Sequence, residues 1–343
     1  MKRNSSRFSL IILLFALVLV MAACSSGEST GDGSNTEAGS GADITIELVA
    51  ADGQTKEISG AELAKMEVFE GTGTFKKSTG TIEGPFTFKG VKMSDLIADA
   101  GAGASSAIEV VATDGYAMTY TAEQIAGEVM TYDDEGQALQ IGGTTMILAY
   151  EMDGAQDFEG CPRVVFLGAE NIITDGHFWA RDVKTIRVLS TVKDWAIDLE
   201  GIEKASIDRA TFESAATCPD TNHPASTWEY TDKEGQTHTY EGIPLWVLVS
   251  MVDGADPQDG HYRFNDDLAR TGYTIKVLSR DGFSAELESQ LVARNSKIMA
   301  AYKKDGDYLP EGEFPLVLAG EDLPSSKHMV KQIDKIQLEN LPQ

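Results

Sequence analysis

Three cysteines and five histidines carry much of the chemistry open to this chain of 343 residues. Cys218 stands in "ATCPDTNHP", with His223 five positions on. A thiolate and an imidazole are soft and borderline ligands that suit a transition metal. The C-x4-H spacing alone is no metal signature, and His238 and His261 lie at no recognised distance from it, so His223 reads as a loop histidine beside Pro224. Cys161 is the other internal cysteine. Once Cys24 is assigned to a different role, the even remainder suits a Cys161–Cys218 disulfide in an oxidising compartment. Three readings of Cys218 therefore stand: ligand, disulfide half, or unpaired thiol. The acidic runs "TYDDEG" (131–136) and "RFNDDLAR" (263–270) could bind calcium, but their spacing matches no calcium loop and they read as solvated loops. His177 and Trp179 in "DGHFWARD" read as a packed aromatic corner. The glycine fingerprints of nucleotide sites, the G-x-S-x-G elbow, H-E-x-x-H and C-x-x-C-H are all absent.

The N-terminus says where these thiols reside. Lys2, Arg3 and Arg7 precede the apolar run "FSLIILLFALVLV", and "MAAC" follows. This is a secretory signal, and small residues abutting Cys24 resemble a bacterial lipoprotein signal. The expected organisation is a signal over 1–23, lipidation of Cys24, and a Gly/Ser-rich tether over 24–42 that lacks apolar side chains. The protein is expected outside the cytoplasm, held on the membrane by lipid. A net charge of -26 repels nucleic acid, which is set aside as a partner. An unidentified envelope protein or a small molecule remains as partner. No twin-arginine pattern occurs in "MKRNSSRFSL", which points to export of an unfolded chain.

The body of the chain repeats itself. "TFKGVKMSDLIADAGA" (87–102) aligns with "TYEGIPLWVLVSMVDGA" (239–255), "IEVVATDGYAMTYT" (108–121) with "YTIKVLSRDGFSAELE" (273–288), and "MILAYEMDG" (146–154) with "IMAAYKKDG" (298–306). Gly90/Gly242, Tyr150/Tyr302, Gly154/Gly306 and Gly168/Gly320 share one offset of 152. The expectation is a duplicated domain, copies at 43–190 and 206–340, with a seam at 190–206. Each copy alternates apolar and polar residues about turn signals: a hairpin over 43–58, and further hairpins about Asp114-Gly115 and Asp281-Gly282. Short helices are expected from Ser94 to Gly101 and from Pro244 to Gly254. The fold class is α+β, two copies of a mixed, β-rich domain.

In order, "GV/GI", "DGY/DGF", "AYxxDG", "P-x-V-x-LxG" and a closing "V/I-xx-I-x-V/L" strand resemble the oxidoreductase molybdopterin-binding domain of the sulfite oxidase type. The likeness runs over about 60–190 and 206–340, once per copy. It implies a molybdenum–pterin held by one cysteine thiolate, with basic and polar contacts to the pterin phosphate. In the first copy the matching stretch, 66–91, has no cysteine, although Arg163, His177 and Arg181 supply basic groups. In the second copy Cys218 falls at the ligand position, without the family's following "G-N". The resemblance then makes Cys218 the metal ligand and Arg280, Arg294, Lys327 and His328 the pterin contacts, for oxo or electron transfer. The other reading is a binding or adhesion module that has lost the cofactor.

Overall fold

Alternating apolar residues place two five-stranded sheets at the base of the structure. The first is ordered Thr55–Ser59, Thr45–Val49, Val183–Leu189, Ala107–Ala112, Ala117–Tyr120. The second is ordered Lys204–Asp208, Ala196–Glu200, Ile333–Glu339, Thr274–Ser279, Ser284–Glu288. In each, the strand that opens the sheet's sequence lies parallel to the one that closes it, Glu47 opposite Thr185 and Asp198 opposite Lys335. Residues such as Ile46, Leu48, Ile197 and Leu199 point inward with polar neighbours outward, as a half-buried strand requires.

The computed structural model describes residues 44–77, 79–169, 172–219, 224–256 and 262–342. Cys24, the signal, the tether, His223 and His261 lie outside them. The described residues belong to one compact unit, Ser40–Gln343. None of their helices is long and apolar enough to cross a membrane. The architecture is mixed and β-rich with few short helices, the longest being the nine residues Arg209–Thr217.

Each base sheet packs against a second sheet. After the first, Val68–Lys76, Ile82–Lys92, Thr145–Met152 and Arg163–Leu167 pair in that order, extended by Ile173–Asp175, Met130–Tyr132 and Ala138–Ile141. After the second, Ser226–Thr231, Thr237–Pro244 and Met299–Lys304 pair in that order, with Asp307–Tyr308 and Val317–Ala319 both on the last. The glycines at the shared offset have a physical task. A Cβ on Gly90 would lie 2.1 Å from the Leu148 carbonyl oxygen, and one on Gly242 would lie 2.0 Å from that of Ala300. Asp153 (φ 50°) and Asp305 (φ 56°) end the neighbouring strands in the left-handed region. Each accepts a hydrogen bond at 2.8 Å from a strand amide, that of Thr87 or Thr239.

Three expectations shift, one being the helix expected from Pro244 to Gly254, which is Leu245–Val249 with Pro244 at its N-cap. The helix near Ser94 is Met93–Ala98, with Lys92 at its N-cap and no side-chain cap. The expected seam contains a core strand, Ala196–Glu200, because Ile197 and Leu199 alternate inward within it. The irregular connection shrinks to residues 190–195.

Gly90→Ala and Gly242→Ala should each destabilise by about 3 kcal/mol, since a carbonyl must move to admit the methyl group. Urea unfolding of the two variants checks this, and a change within experimental error at either site would show that the strands separate there without cost.

Candidate functional site

The residues that bring the two halves together lie on the helix Arg209–Thr217. Asp208 opens it, its carboxylate accepting from the Thr211 amide at 2.8 Å. Ala210 enters the first half's core, while Phe212 enters the second half's. Arg209, 1% exposed, donates through Nε to Asp194 (2.7 Å), through Nη1 to the Thr119 carbonyl and to Glu213 (both 2.9 Å), and through Nη2 to Gln124 (3.3 Å). Glu213 also accepts from the Thr119 amide at 3.1 Å. Tyr308 Oη lies 2.5 Å from the other Glu213 oxygen and 2.7 Å from Thr119 Oγ1, so its single O–H serves the carboxylate and it accepts from Thr119. Burial pushes the Glu213 carboxyl up, and Arg209, Tyr308 and the Thr119 amide pull it back. Burial opposes the charge on Arg209 too, but Glu213, Tyr308 and Asp194 hold it above its ordinary value. Beside this pair, Lys303 meets Glu109 at 2.7 Å, and Glu109 also binds Arg187.

Cys161 is a free thiol, so its pairing with Cys218 is not formed. Its sulfur lies 3.8 Å from the Tyr150 carbonyl, and it lines a cavity of about 210 Å³ with Thr113, Asp182 and Lys184. Burial, then Asp182 and Asp157, push the thiol up to about 11. At neutral pH it is protonated.

Cys218 is the residue just past Thr217, with its amide bonded to Ser214 O at 3.0 Å. The carbonyl end of a helix disfavours an anion, the reverse of the N-terminal placement that activates thiols. Its surroundings are those of the junction. Ser214 lies 3.2 Å from Tyr116 Oη, and Thr217 binds both the amide (3.0 Å) and the carbonyl (2.8 Å) of Ala117. Burial pushes the Tyr116 phenol up to about 12, with Cys218, Glu213 and Asp114 adding to it.

Three of the four basic groups expected to join Cys218 have other engagements. Arg280 sits at a hairpin tip, 3.7 Å from Asp334. Arg294 binds Asp266 at 2.9 and 3.2 Å and lies over the rings of Trp246 and Phe264. Lys327 and His328 belong to the turn Ser326–His328, and His328 Nδ1 is 3.0 Å from Ser325 Oγ. A molybdopterin needs one thiolate and several phosphate donors converging. Arg280, Arg294 and His328 are instead held by their own neighbours, which leaves the expected set incomplete.

In the first half, Arg163 is buried between Phe75 and Trp179, at 5.0 and 5.3 Å from their rings, with Nε unpartnered. Burial, then Arg181, lower it to about 10. Arg181 pairs with the exposed Glu159 at 3.6 Å. Trp179 donates to Thr174 at 2.8 Å within an aromatic group that includes Phe75 and Phe88, as the aromatic-corner reading expects. Asp133, Asp134 and Glu135 hold oxygens within 4.8 Å of one another in a turn, whereas Asp266 and Asp267 are taken by Arg294 and Arg270. Sequence reasoning missed the Arg209–Glu213 pair. Its signal was available: Asp208 as a cap, followed by an Arg and a Glu four residues apart.

No protein-family model matches the chain, and no curated protein matches it. Among solved structures, the chain is similar to the sulfane dehydrogenase SoxCD from Paracoccus pantotrophus. That likeness has a TM-score of 0.35 at 11% identity, over 87% of this chain and 78% of the other.

Arg209→Ala should cost about 3 to 5 kcal/mol in urea unfolding, because it leaves Glu213 buried without its counter-charge. Arg209→Met with Glu213→Leu should recover most of that loss; equal losses in both would show that the pair's charges are immaterial. Cys161 should alkylate slowly at pH 7.5, faster by about ten-fold per pH unit toward its value near 11. Site-resolved mass spectrometry measures the rate, and rapid labelling at neutral pH would contradict the buried, protonated thiol.

Proposed function

We propose that this chain is a lipid-anchored envelope protein made of two copies of a sulfite-oxidase-like domain, acting as a binding module and not as a molybdenum enzyme. The observation that carries the reading is the position of Cys218. Cys218, at the family's ligand place, is the C-cap of a helix whose Ser214 and Thr217 bind the first half. The expected phosphate contacts sit on the second half's own hairpin tip and turn, Arg280 and Arg294 already bound to carboxylates. Duplication is supported by the same strand order in the two base sheets. The close approaches at Gly90 and Gly242 and the aspartate turns at Asp153 and Asp305 support it as well. Lipidation of Cys24 is supported by the signal before it and the tether after it. The partner is an envelope protein or a small molecule, met by an acidic surface; the full sequence carries a net charge of -26.

Elemental analysis of protein purified from the native membrane should give molybdenum far below one atom per chain, in wild type and in Cys218→Ala alike. Stoichiometric molybdenum in wild type, lost in Cys218→Ala, would replace the binding module by a redox enzyme. Cys24→Ala should abolish fatty-acid labelling and release the protein from the membrane; retained labelling would refute the anchor.

A further inference from the structure

His177 lies in the short turn Gly176–Phe178, which packs against the junction helix Arg209–Thr217. Its carbonyl accepts from Tyr116 Oη at 2.9 Å, and the same oxygen of Tyr116 reaches Ser214 on the helix. The ring rests on Phe178 at 4.1 Å, and Nε2 is sealed from solvent without a hydrogen-bond partner. Several charged groups surround the site. From the first half come Asp175 and Lys76, which pair at 3.7 Å, and Tyr132, which donates to Asp175 at 2.7 Å. From the second half comes Asp208, whose carboxylate already caps the helix. Farther along that helix are Arg209, Glu213 and Cys218. Both nearby carboxylates thus have standing donors, and a second ring proton on His177 would enter a sealed place.

The junction is otherwise polar. Ala210 is the second-half residue in the first half's core cluster, and the connection over 190–195 has no regular structure. Polar interfaces of this kind between parts of one chain are the ones that separate. We propose that His177 makes the junction acid-sensitive: when its ring takes up a proton, the helix Arg209–Thr217 lifts off the first half, and the halves part about residues 190–195. Burial lowers His177 below its ordinary 6.5, with Lys76 adding and Asp175 and Asp208 opposing. A lowered value means that the docked state is fully favoured above 6.5 and loses stability as pH falls below it. The inference goes beyond the binding-module reading and does not depend on whether a metal is bound.

Hydrogen exchange of the mature chain at pH 7.5 and 5.5, corrected for the intrinsic pH dependence of exchange, tests this. Exchange of Ala117–Tyr120 and of the helix Arg209–Thr217 should rise by about ten-fold at the lower pH. The central strands Thr145–Met152 and Met299–Lys304 should stay protected. His177→Phe, and His177→Gln as a smaller neutral change, should remove the response. Four results would overturn the proposal: unchanged or increased protection at pH 5.5, loss that spreads to the central strands, or a wild-type response in either variant.

Discussion

A guanidinium and a carboxylate, both taken out of water, hold the two halves of this protein in one body. Arg209 and Glu213 are one helical turn apart, and on their own they would stabilise an exposed helix only slightly. Here they close around the backbone of Thr119, the cation on its carbonyl and the anion on its amide. That strand position is at the edge of the first base sheet, so the helix satisfies groups that an edge otherwise leaves open. Tyr308, Gln124 and Asp194 complete the set. Losing one member alone is costly, because a buried network with a missing partner is worse than an apolar contact.

The same interaction explains why the two halves differ where their strand orders agree. In the first base sheet, Thr119 is buried where the helix binds its backbone. In the second, Glu286 and Glu288 stand in the equivalent edge strand and are exposed, and Phe283 at the turn is 48% exposed. The short helix Gly60–Leu63 of the first half follows its strand as Arg209–Thr217 follows Lys204–Asp208, but it begins with Gly60 and has Ala64 where a partner for Arg would stand. One half therefore offers the receiving face and the other offers the ion pair. A head-to-tail contact that does not close would otherwise continue into an array, and the charged outer strand of the second half caps it.

Much of this fold was legible from periodicity and turns. The hairpins about Asp114-Gly115 and Asp281-Gly282 and the tight glycines at 90 and 242 are local features, set by residues next to one another or by a backbone that admits no Cβ. The strand Ala196–Glu200 was hidden because its three apolar residues lay in a stretch that looked like a connection. The site was less legible. The family resemblance put Cys218 with the second half's basic groups, but the helix preceding it packs against the first half, and nothing within either half alone encodes that choice. It is encoded between them, in Arg209, Glu213 and Thr119, whose partnership spans 90 or more positions. The Cys161 thiol shows the same limit, since its protonation follows from burial and from Asp182, which is brought beside it by folding.

A double-mutant cycle on Glu109→Gln and Lys303→Met, read by urea unfolding, measures the linkage across the junction most directly, because these residues come from opposite halves and meet at 2.7 Å. If the halves are one body held by buried charge, the two changes should couple by about 2 kcal/mol. A coupling below about 0.5 kcal/mol would mean that the halves fold and stand independently of this contact.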